Sequence, residues 1–119
     1  MKALLLVAHG SRRESSNQEV RDLAARLGER AGGRFGHVDC AFLEIAEPLI
    51  PDGIQRCIDR GAEQVIVLPY FLSAGRHVVE DIPNDVAIKQ AEHPGIDIRI
   101  APYLGSSDGV IELLLASAS

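Results

Sequence analysis

Apolar residues fall along this chain in two rhythms, and the rhythms alternate. Ala3–Ala8 is apolar at every position, the pattern of a strand buried on both faces of a parallel sheet. Over Glu14–Ala31 the interval changes. Val20, Leu23, Ala24, Leu27 and Ala31 recur at three- and four-residue steps, which predicts a helix, and Gly32-Gly33 ends it. Val38–Leu43 predicts a second strand, with Val38, Cys40 and Phe42 alternating against Asp39, Ala41 and Leu43. A second helix is expected between Pro48 and Arg60, with Ile50, Ile54, Cys57 and Ile58 inward and Gly61 as its stop. Gln64–Leu68 is again almost wholly apolar and predicts the third strand. Pro69–His77 reads as a loop. Pro83, a residue favoured in a first helical turn, opens a third helix that runs to His93, where Pro94-Gly95 breaks it. Ile96–Ala101 predicts the fourth strand, and Ser107-Asp108 caps a short last helix ending near Ala116.

Strands alternating with helices at this spacing predict an α/β fold, a single domain over residues 1–119. Strands one and three are apolar throughout and belong in the middle of the sheet. Strands two and four carry Asp39, Asp97 and Arg99, so they read as edges. Right-handed crossovers then give a four-stranded parallel sheet of order 2-1-3-4, with helices on both faces. In that order the connection reverses between strands one and three. Open α/β sheets bind ligands at such a switch point, beyond the carboxyl ends of the strands.

Composition narrows the class. The chain has 119 residues, 46% hydrophobic and 24% charged, which excludes intrinsic disorder. No apolar run approaches the length of a membrane span. The apolar N-terminal stretch meets Arg12 and Arg13 too soon to read as a signal peptide. Two cysteines, Cys40 and Cys57, make no disulfide framework and read as small buried core residues. A reducing cytoplasm is the expected location. A net charge of −5 and the absence of Trp argue against nucleic acid as a partner.

Four segments share the carboxyl rim of the predicted sheet. They are Ala8–Arg13, Phe42-Leu43-Glu44, Pro69–His77 and Pro102–Ser107. Two of the four histidines, His9 and His77, and one carboxylate, Glu44, therefore converge near the switch point. Two imidazoles and a carboxylate with open positions suit a divalent metal such as Fe, Co, Ni or Zn. Taken singly, each has a plain structural reading: His9 and His77 as satisfied strand-end histidines, Glu44 as a helix cap. Gly10-Ser11 and Gly105-Ser106 read either as anion cradles or as tight turns. His37 and His93 lie at the opposite ends of their elements and read as surface residues. Arg12, Arg13 and Arg76 flank the histidines and make the expected site locally basic. Guanidinium groups there suit a ligand with several carboxylates or phosphates.

His9-Gly10-Ser11-Arg12, Phe42-Leu43-Glu44 with Pro48, and Pro69-Tyr70-Phe71-Leu72 leading to Gly75-Arg76-His77 and Asp81-Ile82-Pro83 together resemble the sirohydrochlorin chelatases of the CbiX/SirB type. The resemblance spans roughly Lys2–Gly105. It implies ATP-independent insertion of Co²⁺ or Fe²⁺ into sirohydrochlorin, in cobalamin or sirohaem synthesis, with Ni²⁺ a further candidate. It also implies His9 and His77 as metal-binding and base residues, and Glu44 as the acidic residue of the site. Larger relatives hold two such halves, whereas this chain is similar to the small form that pairs two copies, so a homodimer with the site between subunits is expected. The chemistry is compatible. Ring N–H groups must lose protons before a metal can enter, and imidazole accepts protons near neutrality. The macrocycle's carboxylates would meet Arg12, Arg13 and Arg76, and Tyr70, Phe71 and Leu72 would offer it apolar surface or else belong to the core. No G-x-x-x-x-G-K motif is present, as expected for a reaction without ATP. Two rivals stand beside this reading. A histidine-dependent phosphatase would need Arg before its His, where Ala8 stands. A non-catalytic metal or tetrapyrrole carrier would be expected to close its coordination shell.

Overall fold

The computed structural model describes residues 1–119. Its order is β1 (Lys2–Ala8), α1 (Glu14–Ala31), β2 (His37–Phe42), α2 (Ile50–Asp59), β3 (Gln64–Pro69), α3 (Ile82–Glu92), β4 (Asp97–Ile100) and α4 (Gly109–Ala118). All four strands are parallel and stand in the order β2-β1-β3-β4. The two apolar strands are central and the two charged strands are edges, as the alternation of residue types predicts.

Strand pleating sends alternate β1 residues into two separate cores. Ala3, Leu5 and Val7 join Ala41, Val65, Val67 and Ile98 under α2 and α3, through Ile50, Ile54, Cys57, Ile82 and Val86. Leu6 and Ala8 join Cys40 and Phe42 under α1, through Ala24, with Val20, Leu23 and Leu27 half-buried at the margin. Helices thus cover both faces. Cys40 and Cys57 are free and buried, one in each core. Burial pushes both thiols up, Cys57 to about 11, so both stay protonated at neutral pH and neither offers a thiolate ligand.

The third helix departs from expectation. It does not begin at Pro83. A π-helical turn, His77–Asp81, precedes α3 and runs into it, with the Ile82 N–H bonded to the His77 carbonyl. Pro83 explains the wider turn. It has no N–H, and its ring crowds the carbonyl four residues back, so the backbone opens there. The turn moves His77 from loop to helix. The last helix starts as expected, with Ser107 Oγ accepting the Gly109 N–H at 3.2 Å, but it packs on neither face of the sheet.

Candidate active site

The site starts where β1 ends. Gly10 has φ +94°, and a Cβ there would lie 1.9 Å from the Glu44 carbonyl oxygen. Only glycine allows this approach. The β1–α1 loop therefore lies flat on the β2–α2 loop, and the Glu44 N–H donates to the His9 carbonyl at 3.2 Å. The side chains meet as a result: His9 Nε2 donates to Glu44 Oε1 at 2.9 Å. Ile45, next in the chain, holds φ +71°, an unusual conformation for a β-branched residue that costs about 1–3 kcal/mol. The strain accompanies a tight turn closed by Ala46 N–H on the Glu44 carbonyl at 2.8 Å.

Asn17 fixes the other side of the loop. It is buried on α1, its Oδ1 accepts the Ser11 N–H at 2.9 Å, and its Nδ2 donates to the Ser11 carbonyl at 2.8 Å. Nδ2 also reaches Glu14 at 3.2 Å. Arg21 and then Asn17 hold the Glu14 carboxyl below its ordinary range. Asn17→Ala leaves the partly buried Ser11 N–H and carbonyl without this partner, at about 1–3 kcal/mol. Thermal denaturation is expected to show a melting temperature several degrees lower, and an unchanged one would mean that Asn17 does not hold the loop.

His77 enters from the third loop. Because the π turn has already begun, Asp81 stands on its face, and His77 Nδ1 bonds Asp81 Oδ2 at 2.6 Å. The His77 ring meets the His9 ring edge to face, with centroids 4.6 Å apart and planes at 72°. His77, Glu44 and Asp81 line a depression of about 330 Å³ with Leu43, Asn84 and Asp85. No three His, Cys, Asp or Glu side chains are arranged as a ready metal cage. Instead there are two carboxylate–imidazole pairs in contact, each with one ring nitrogen in its pair.

Burial first, and then the charge of Asp81, hold the Asp85 carboxyl above its ordinary range. The folded state binds this proton more tightly than the unfolded chain, so the group lowers stability as pH rises through its folded titration. Asp85→Asn should therefore raise the melting temperature at neutral pH. The gain should vanish as pH falls below 3.8, the ordinary value. Asp85 is partly exposed, so screening keeps the effect below about 1 kcal/mol. A lower melting temperature at neutral pH would reverse the assigned sign.

The structure brings His9, Glu44 and His77 together as the topology requires. It treats the other candidates differently. Arg12, Arg13 and Arg76 are exposed, with Arg13 Nε on Ser15 Oγ at 3.1 Å and Arg76 Nε on Glu80 at 3.3 Å. The site is not simply basic. Its His77 wall is acidic, with Glu44, Asp81 and Asp85, and Arg12, Arg13 and Arg76 do not line that depression. Tyr70 and Leu72 are exposed, but Phe71 is half-buried against the α2/α3 core. Tyr70 lines a groove beside α1 instead of the histidine depression. His37 and His93 are half-buried rather than on the surface. His93 Nε2 donates to Gln55 Oε1 at 2.9 Å, where buried Lys89 also donates at 2.7 Å. His37 Nε2 has no hydrogen-bond partner and stands 3.6 Å from Asp39. Gly105 makes a close approach to the β3–α3 loop, its N–H donating to the Phe71 carbonyl at 2.9 Å. Asp81, Asp85 and Asn17 are absent from the sequence-level candidates. Asp81 stands four residues after His77 in the Asp81-Ile82-Pro83 motif, a spacing that pairs the two only because this segment is helical.

Residues 3–119 match the CbiX family model. The chain is 35% identical over 111 residues to the chloroplastic sirohydrochlorin ferrochelatase of Arabidopsis thaliana, covering 93% of this chain and 48% of that protein. It is 35% identical over 142 aligned residues to the sirohydrochlorin cobaltochelatase of Methanococcus aeolicus, covering 99% and 98%. Among solved structures, the sirohydrochlorin chelatase SirB of Bacillus subtilis subspecies spizizenii, in complex with cobalt, superposes with a TM-score of 0.86 at 27% identity, over 98% of this chain and 49% of that one. The chain thus spans about half the length of the plant and Bacillus proteins.

Proposed function

This chain belongs to the CbiX family, and from that premise we propose that it inserts a divalent metal, Co²⁺ or Fe²⁺, into sirohydrochlorin. The observation that carries the reading is the contact of two carboxylate-paired histidines at the switch point. A carboxylate on one imidazole nitrogen orients the ring and leaves the other nitrogen for a metal or a proton. Glu44 bonds His9 through Oε1 only, which leaves Oε2 for the incoming metal. His9, Glu44 and His77 receive the metal in this reading, and the histidines also take the ring N–H protons. An open, uncaged set suits a metal that must leave. The acidic wall attracts the cation, while Arg12, Arg13 and Arg76 bind the macrocycle's carboxylates from the exposed side, with Tyr70 and Leu72 as apolar contacts. Phe71, half-buried in the core, supports the loop that presents them.

The reading takes residues 1–119 as one chelatase unit, acting without ATP, as a cytoplasmic homodimer. Two free, buried cysteines favour a reducing compartment. The test is the absorbance change on anaerobic metal insertion, with and without protein, using Co²⁺, Fe²⁺ and Ni²⁺. Catalytic turnover is the expected result. Stoichiometric binding without turnover would make the protein a carrier, and the metal inserted fastest distinguishes the cobalamin and sirohaem pathways from a nickel cofactor. Metal affinity should fall as the solution is acidified, because a protonated imidazole does not ligate. Co²⁺ titrations across pH check this. Affinity held constant to well below pH 6 would assign binding to carboxylates alone.

A further inference from the structure

Ile45 stands where its side chain is doubly disfavoured. Its φ is +71°, and the Ala46 N–H donates to the Glu44 carbonyl at 2.8 Å, so residues 44–46 form a γ-turn with Ile45 at its centre. In this positive-φ form the γ-turn is rare and strained, and a β-branched residue is among the least suited to it. The side chain is also 57% exposed. It belongs to neither core and packs at the margin of neither. A single exposed apolar residue is ordinary, but one that also strains the backbone is not.

The fold accounts for the turn but not for the isoleucine. Within two residues the chain passes from exposed Glu44, bonded to His9, to Ala46, buried in the α1-side core. The γ-turn makes that reversal and leaves the Glu44 carbonyl against Gly10. Glycine or asparagine would make the same turn with less strain. The turn itself has no use for a branched apolar side chain, and strain of this kind collects at ligand sites.

We propose that Ile45 is a substrate-contacting residue, kept at the rim to bear the apolar face of the macrocycle as the metal leaves Glu44. The inference rests on the chelatase reading above and deepens it. Position selects this occupant. The Cα atoms of Glu44 and Ile45 are about 3.8 Å apart, so a ring that takes a metal from the Glu44 carboxylate lies beside Ile45. The histidine depression is lined mainly by polar side chains, with Leu43 its one aliphatic member, so the ring's apolar face needs a partner outside it. The third loop repeats the arrangement, with Val79, 62% exposed, two residues after His77. A β-branched side chain also has little rotamer freedom to lose when the ring covers it.

The test compares wild type, Ile45→Val and Ile45→Asn in three measurements: equilibrium binding of metal-free sirohydrochlorin, melting temperature, and Co²⁺ affinity without the macrocycle. Asparagine tolerates positive φ and removes apolar surface, whereas valine keeps both the strain and the branching. Ile45→Asn should melt a few degrees higher yet bind the macrocycle about 10-fold or more weakly. Ile45→Val should melt like wild type and lose at most about 4-fold in macrocycle affinity, the equivalent of one methylene. Co²⁺ affinity should be alike in all three, because the turn and Glu44 are kept. Unchanged macrocycle affinity in Ile45→Asn, or no gain in its melting temperature, overturns the inference and leaves the chelatase reading standing. A parallel loss of Co²⁺ affinity would make Ile45 a prop for Glu44 and also overturns it. A wild type that neither binds nor metallates sirohydrochlorin overturns both.

Discussion

Alanine at position 77 is expected to lower the rate of metal insertion by about 10²–10⁴-fold, the range for loss of a positioned acid–base group. His77 is half-exposed and packs on no core cluster, so the fold should survive and circular dichroism should be unchanged. His9→Ala should behave alike, because it removes the ring that meets His77 at 4.6 Å and leaves Glu44 without its partner. His37 and His93 supply the control. They stand at the opposite end of the sheet, and replacing either should change the insertion rate little, although His93→Ala should cost some stability through Gln55. The measurement is the anaerobic insertion rate, followed by absorbance at saturating substrate. A full-rate His77→Ala enzyme would remove His77 from the site. A large loss at His37 or His93 would show that the wrong pair was chosen.

Gly10→Ala should be a severely damaging substitution despite its small size. The added methyl carbon would stand 1.9 Å from a backbone oxygen, at a φ of +94° that alanine avoids. Steric displacement and left-handed strain together cost about 2–5 kcal/mol, a large part of a typical stability of about 5–15 kcal/mol. The melting temperature should fall by on the order of 10 °C. Metal affinity should fall with it, because the same contact holds His9 against Glu44. Gly33→Ala is the matched control, since a Cβ there meets nothing within 4 Å. Differential scanning calorimetry and Co²⁺ titration of both variants check the pair. If Gly10→Ala melts like Gly33→Ala, the two loops are not held together by this approach.

Much of this architecture is legible without coordinates, and the reason is burial. A strand covered on both faces must be apolar throughout, so Ala3–Ala8 and Val65–Leu68 declare themselves central, while Asp39, Asp97 and Arg99 mark edges. Once the order follows, chain direction alone places His9, Glu44 and His77 on one rim, because parallel strands end together. What stayed hidden depends on contacts between segments remote in sequence or on departures from regular geometry. The π turn before Pro83 converts a loop histidine into a helical one and pairs it with Asp81. Asn17 is an ordinary polar residue on a helix until the Ser11 backbone folds against it. Phe71 and Tyr70 are neighbours in sequence yet face different surroundings, which only packing decides. The arginines near the histidines suggest a basic site, but the third dimension supplies an acidic wall from α3. Periodicity records which residues avoid water, and so determined the sheet, its order and the rim. Hydrogen-bond partners depend on where each loop comes to rest against the others, and only the tertiary structure decided them.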